Sequence, residues 1–171
     1  MKIYFAKCDK KYSHDFLFEV LEKHYNVYAT DADLIQSHYG KLSLKNSTIN
    51  FNITHSGEIV AVGVSDKQLG IDVEFIKPRN NAKLSQKIFG VIPNTDEEFY
   101  RLWTKAECFV KYSASALIPE LKKIEIVGDE IFYDGNKSDV KTKTFTVKNY
   151  VFSVTSEDLD VDFIEQEDFI R

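Results

Sequence analysis

Gly70-Ile71-Asp72-Val73-Glu74-Phe75 is the stretch from which the rest of the chain is read. Ile71, Val73 and Phe75 alternate with Asp72 and Glu74, and a period of two predicts a β-strand with one apolar and one acidic face. Two carboxylates on one face repel each other unless a cation or a base joins them. Magnesium prefers oxygen ligands and takes one or two carboxylates together with substrate phosphates, so it suits such a pair. On its own the pair also describes a solvated strand face.

Elements can be placed on both sides of this strand. Upstream, Ile59 to Val64 is a continuous apolar run, read as a central strand, and Phe51 to Thr54 alternates as a half-buried strand. Residues 12–25 carry Phe16, Leu17, Val20 and Leu21 at helical spacing, with Ser13 as the expected cap. A short helix is expected over 30–38, ending before Gly40. Downstream, helices are expected over 80–89 and about 95–115. Strands are expected over 122–127, 130–134, 142–147 and 149–155, with turns at Gly128-Asp129 and Asp134-Gly135. The class is α+β, without a clean linker, and a weak boundary falls near Asp66–Gly70.

Composition narrows the function. The chain of 171 residues is 43% hydrophobic and carries a net charge of -5, which allows a sizeable core and argues against general nucleic-acid binding. Cys8 and Cys108 are the only cysteines, too few for a disulfide framework. No apolar run approaches the ~18 residues of a membrane span. Lys2 to Ala6 is a short strand-like run followed at once by charged residues, so no signal peptide is expected and the expected setting is cytoplasmic. The acidic run from Glu157 to Asp168 contains Leu159, Val161, Phe163 and Ile164 and is read as a solvated face or frayed tail.

Three further groups could carry chemistry. In Trp103-Thr104-Lys105-Ala106-Glu107-Cys108-Phe109-Val110-Lys111, an apolar stripe of Phe99, Leu102, Trp103, Ala106 and Val110 has Glu107 and Lys111 one turn apart on its edge. They could serve a metal and a phosphate, or form an ordinary i,i+4 pair worth roughly 0.2–0.5 kcal/mol. Phe51-Asn52-Ile53-Thr54-His55-Ser56-Gly57 gathers two hydroxyls and an imidazole at a strand end. Neighbouring strand residues point to opposite faces, so Ser56 and His55 make a poor nucleophile–base pair. In Tyr39-Gly40-Lys41 the glycine permits close backbone approach and Lys41 adds charge. His14, His24 and His38 show no metal-ligand spacing and read as structural or surface residues.

Along the chain the four groups run Gly40-Lys41, then Phe51 to Ser56, then Gly70 to Glu74, then Trp103 to Lys111, and in that order they resemble the 4'-phosphopantetheinyl transferase superfamily, in its surfactin-synthetase-activating (Sfp) type. The likeness runs from about Tyr39 to Lys111. It implies a pseudo-dimeric fold of two similar α+β halves, divided here as 1–68 and 69–171, with coenzyme A in the cleft between them. It implies magnesium held by Asp72, Glu74 and Glu107. Lys111 would hold the pyrophosphate, and Lys41, Thr54 and His55 would contact coenzyme A. The chain departs from the family in having Ala106 where a lysine is usual, Leu42 where a proline is usual, and a shorter first half that lacks the arginine-rich segment.

The activity implied is magnesium-dependent transfer of the phosphopantetheine arm of coenzyme A to a serine of an apo acyl or peptidyl carrier protein, of the holo-carrier synthase type. Adenosine 3',5'-bisphosphate would leave. Asp72, Glu107 and Lys111 would be the catalytic residues, acting in a monomer that binds neither nucleic acid nor membrane. Two alternatives use the same residues: a degenerate relative that binds coenzyme A or a carrier without catalysis, and a magnesium-dependent phosphohydrolase.

Overall fold

The computed structural model describes residues 1–167 and Phe169. It is an α+β arrangement of two main sheets, with a helix packed against the outer face of each. The strands of the first sheet are β1 (Lys2–Lys7), β4 (Asn50–Ser56), β5 (Ile59–Ser65) and β11 (Asp162–Glu165), in the order β11-β1-β5-β4. The second sheet contains β6 (Leu69–Phe75), β7 (Ile124–Val127), β8 (Glu130–Tyr133), β9 (Asn136–Val147) and β10 (Tyr150–Ser156), in the order β6-β10-β9-β8-β7. Helix α1 (Ser13–Tyr25) lies on the first sheet, and α3 (Asp96–Ser113) lies on β6 and β10 of the second. The remaining elements are α2 (Ala82–Phe89), α4 (Leu117–Leu121) and a small hairpin of β2 (Leu34–Gln36) and β3 (Leu42–Leu44).

Strand alternation assigns the layers. Tyr4, Ala6, Val60, Val62 and Val64 face α1 and meet Phe16, Leu17, Val20 and Leu21. Ile3, Phe5 and Ala61 face the other way and pack between the sheets on Leu69, Ile71, Val73, Phe152 and Val154. The opposite face of β6 and β10 therefore meets α3. There Gly70 gives the helix its close approach, since a Cβ on it would stand 1.9 Å from the Cys108 carbonyl oxygen and 2.5 Å from the Tyr112 nitrogen. Around this contact the helix binds the sheet through hydroxyls: Thr104 Oγ1 lies 2.7 Å from Ser153 Oγ, and Cys108 Sγ lies 2.8 Å from Thr155 Oγ1.

The sheets meet edge to edge along β4 and β6 without a strand ladder. Side chains from alternate positions of β4 accept the edge N–H groups of β6. Ile71 N donates to Asn52 Oδ1 at 2.9 Å, Val73 N to Thr54 Oγ1 at 3.3 Å, and Phe75 N to Ser56 Oγ at 3.1 Å. Buried backbone donors need such partners, and here they come from polar residues on the face of β4 that turns away from α1.

Several expectations are corrected. Residues 30–38 form a single 3-10 turn, Asp31–Asp33, closed by a capping box of Thr30 and Asp33, and the chain then enters the β2–β3 hairpin. Ser13 does not cap α1: Tyr12 occupies the cap position, and Ser13 Oγ donates to the Lys10 carbonyl at 2.5 Å. The acidic run near the end of the chain supplies β11, parallel to β1, because Phe163 and Ile164 alternate into the two cores that flank the first sheet. Asp168, the last residue of that run, lies outside the described residues. Among the described residues no helix is long and apolar enough to cross a membrane.

Candidate functional site

Thr54, Ser56, Asp72, Glu74, Glu107 and Lys111 converge where β4, β6 and α3 meet. Asp72 follows Gly70 by two residues, so its carboxylate points to the α3 side of the sheet, and it is only 4% exposed. The reading of this strand as a solvated acidic face is thereby overturned at Asp72. Its Oδ1 accepts Lys111 Nζ at 2.5 Å and the Thr54 hydroxyl at 3.0 Å. Thr54 Oγ1 also accepts from Lys111 Nζ at 3.2 Å. With the bond from Val73 N, Thr54 thus uses its one donor and both acceptor sites. The other carboxylate oxygen, Asp72 Oδ2, is buried and has no partner among the described residues.

Glu74 is half-buried and accepts the Ser56 hydroxyl at 2.7 Å. Burial, chiefly, raises its pKa above the ordinary carboxylate range, and the Asp72 charge adds to the rise against the opposing bond from Ser56. Glu107, one turn before Lys111 on α3, is raised further, to about 7. Burial is again the main cause and repulsion by Asp72 the next, while Lys111 and a hydrogen bond from the Trp103 indole act the other way. Lys111 would be lowered by burial, but Asp72 and Glu107 together hold it above its ordinary value. The site therefore has an excess of negative charge with one ammonium as counterweight.

A cavity of about 330 Å³ opens beside it. Glu107 and Lys111 form its charged wall; Leu42, Phe51, Ile53 and Val110 contribute apolar surface, and the Tyr39–Lys41 turn closes one side. Lys41 lines this cavity, yet its Nζ donates to the carbonyls of Leu69 at 3.0 Å and Tyr112 at 3.2 Å. Burial lowers its pKa to about 8. In this arrangement Lys41 ties the turn to the start of β6 and the end of α3. His55, on the opposite face of β4 from Thr54, is exposed. Partial desolvation and the charges of Lys10 and Lys111 hold its imidazole below the ordinary value.

No protein-family model matches the chain. Among curated proteins, the 4'-phosphopantetheinyl transferase AcpT of Salmonella typhi is 30% identical over 92 residues, covering 46% of this chain and 48% of the relative. The AcpT of Salmonella typhimurium is 34% identical over 73 residues, covering 36% and 38%. The 4'-phosphopantetheinyl transferase Sfp of Bacillus subtilis is 28% identical over 109 residues, covering 57% and 48%. Over these segments the chain is similar to proteins named 4'-phosphopantetheinyl transferases. It spans about half the length of the curated relatives it matches.

Among the described residues, no three His, Cys, Asp or Glu side chains stand close enough to enclose a metal ion. The donor chemistry nonetheless fits an oxygen-seeking divalent cation. Asp72 has a buried oxygen without a partner, and both Glu74 and Glu107 are raised in part by its charge. A divalent ion would relieve that repulsion.

The residue that sequence reasoning left out of the site is Ser56, which bonds Glu74 and the β6 backbone together. Its signal was the alternation of Asn52, Thr54 and Ser56 on one face of β4, which places Ser56 beside Thr54 and apart from His55.

Proposed function

We propose that this protein is a phosphopantetheinyl transferase of the Sfp type. It would move the phosphopantetheine arm of coenzyme A to a serine of an apo acyl or peptidyl carrier protein and release adenosine 3',5'-bisphosphate. The observation that carries the reading is that Glu107 and Lys111 line one wall of a cavity while Lys111 bonds the buried Asp72, far from it in sequence, whose other carboxylate oxygen has no partner among the described residues. The names of the curated relatives support the same reading.

The reaction joins the carrier serine oxygen to the phosphorus that bears the pantetheine arm and breaks the bond from that phosphorus to the bridging oxygen of the nucleotide. Asp72 and Glu107, with Glu74 beside them, would hold magnesium, which would supply Lewis acidity at the pyrophosphate. Lys111 neutralises phosphate charge as a point cation. Glu107 accepts the serine proton through an intervening water. Thr54 and Ser56 fix the strand carboxylates, so positioning and electrostatics provide most of the rate, as in other phosphoryl transfers. Lys41 and His55 belong to the coenzyme A side of this reading, Lys41 through the cavity it lines.

The two-half organisation, 1–68 and 69–171, is part of the proposal and is supported by two sheets meeting edge to edge at the site. So are a monomeric state and a cytoplasmic setting. Lys77, Arg79, Lys83 and Lys87, all exposed around the start of α2, form the basic surface offered to an acidic carrier.

The test is to incubate the protein with coenzyme A, magnesium and an apo carrier and to weigh the carrier. A gain of one phosphopantetheine arm is expected, with loss of the gain in Asp72→Ala and Glu107→Ala at retained circular dichroism. Carriers of unchanged mass across several types would defeat the proposal, as would full activity in both variants.

A further inference from the structure

Lys111 occupies the position from which an ion would reach Asp72. Its ammonium lies 2.5 Å from Asp72 Oδ1, in a carboxylate that is 4% exposed, and it shares Thr54 Oγ1 at 3.2 Å. The Lys111 side chain itself is 28% exposed and lines the open cavity. It can therefore swing toward a ligand there without unpacking α3, whose hold on the sheet runs through Gly70, Thr104 and Cys108. A buried carboxylate deprived of its partner is strongly disfavoured, so in the metal-free protein the ammonium supplies the charge that the acidic cluster lacks.

We propose that Lys111 is a resident counter-cation that competes with the divalent ion for Asp72, so that metal and phosphate ligand enter the site cooperatively. The inference rests on the transferase reading and adds an order to it. A phosphate group in the cavity draws Lys111 off Asp72, and the carboxylate is then released to the ion. Conversely, an ion on Asp72 turns Lys111 toward the phosphate. Coupling of this kind is reciprocal, each ligand strengthening the other by the same factor. The unpartnered Asp72 Oδ2 marks where the carboxylate has capacity left, and the Oδ1 now held by Lys111 is what the exchange frees.

The experiment uses Mn2+ as the probe, titrated calorimetrically into the full chain without coenzyme A. Lys111→Met removes the ammonium and should bind Mn2+ more tightly than the wild type, by on the order of ten-fold. Lys111→Arg, which keeps a cation, should bind as weakly as the wild type. Without metal, Lys111→Met should also unfold at a lower temperature than the wild type, and Mn2+ should restore the difference. A measurement on the unmodified protein covers the case in which Lys111→Met does not fold: the acetylation rate of Lys111, followed by peptide mass spectrometry, should rise when Mn2+ is added without coenzyme A, since the ion then frees the ammonium and no phosphate covers it.

Equal or weaker Mn2+ binding by a folded Lys111→Met, or a Lys111 acetylation rate unchanged or lowered by Mn2+ alone, overturns the proposal. If the wild type modifies its carrier while Lys111→Met shows no gain in Mn2+ affinity, the counter-cation role alone falls. If no variant binds Mn2+, with or without coenzyme A, and no carrier is modified, the transferase reading falls with it.

Discussion

Glu107 shows how one side chain can link stability to pH. Burial and the neighbouring Asp72 charge raise its carboxyl pKa from the ordinary range to about 7. The folded state therefore holds this proton more tightly than the unfolded chain. Its stabilising effect is complete below the unfolded value near 4.5 and is lost as pH rises through about 7. In metal-free buffer, the denaturant midpoint should fall between pH 5 and pH 7.5, and Glu107→Gln should flatten that part of the profile. An unchanged slope in the variant would remove Glu107 as its source. The carboxylate was legible in the sequence from its helix edge position. Its raised pKa was not, because it depends on Asp72, 35 positions away and brought alongside only by folding. Lys41 shows the opposite case: glycine and charge in Tyr39-Gly40-Lys41 pointed to a ligand, while the fold places two backbone carbonyls at its ammonium.

At the scale of elements, the depth of α3 decides whether the site exists. Gly70 is the only residue type that lets the helix backbone sit where it does, because any Cβ there would meet main-chain atoms that cannot rotate away. Gly70→Ala should lower unfolding free energy by about 3 kcal/mol or more. Gly63→Ala, whose Cβ would meet the Leu69 side chain at 2.8 Å and the Ile71 side chain at 2.9 Å, should cost less, since side chains can yield. Chemical denaturation orders the two, and a reversed order would contradict the packing described. Strong periodicity made α1, α3 and β6 readable in advance, and a continuous apolar run did the same for β5. The β2–β3 hairpin and β11 were not, because each is a short run whose pairing partner, in the case of β11, lies about 160 residues away in β1.

For the whole molecule, the two sheets are joined by an apolar core and by the polar contacts of β4 with β6, and the site lies at the second of these. Phe163 on β11 packs on Phe145 and Phe152, with ring centroids 4.6 and 5.6 Å away, and so links the end of the chain to the core between the sheets. Phe163→Ala should destabilise the fold by about 2–4 kcal/mol. Because the ring is remote from the carboxylates, Mn2+ affinity of the folded variant should stay at the wild-type value. A lost affinity at retained fold would mean that the sheets are mechanically coupled to the site.

The contact between β4 and β6 has one more consequence. An ordinary strand pair is stitched by main-chain atoms, which no codon change short of proline can delete. Here every stitch ends on a side chain, so the seam is spelled out as Asn52, Thr54 and Ser56 and can be unpicked one substitution at a time.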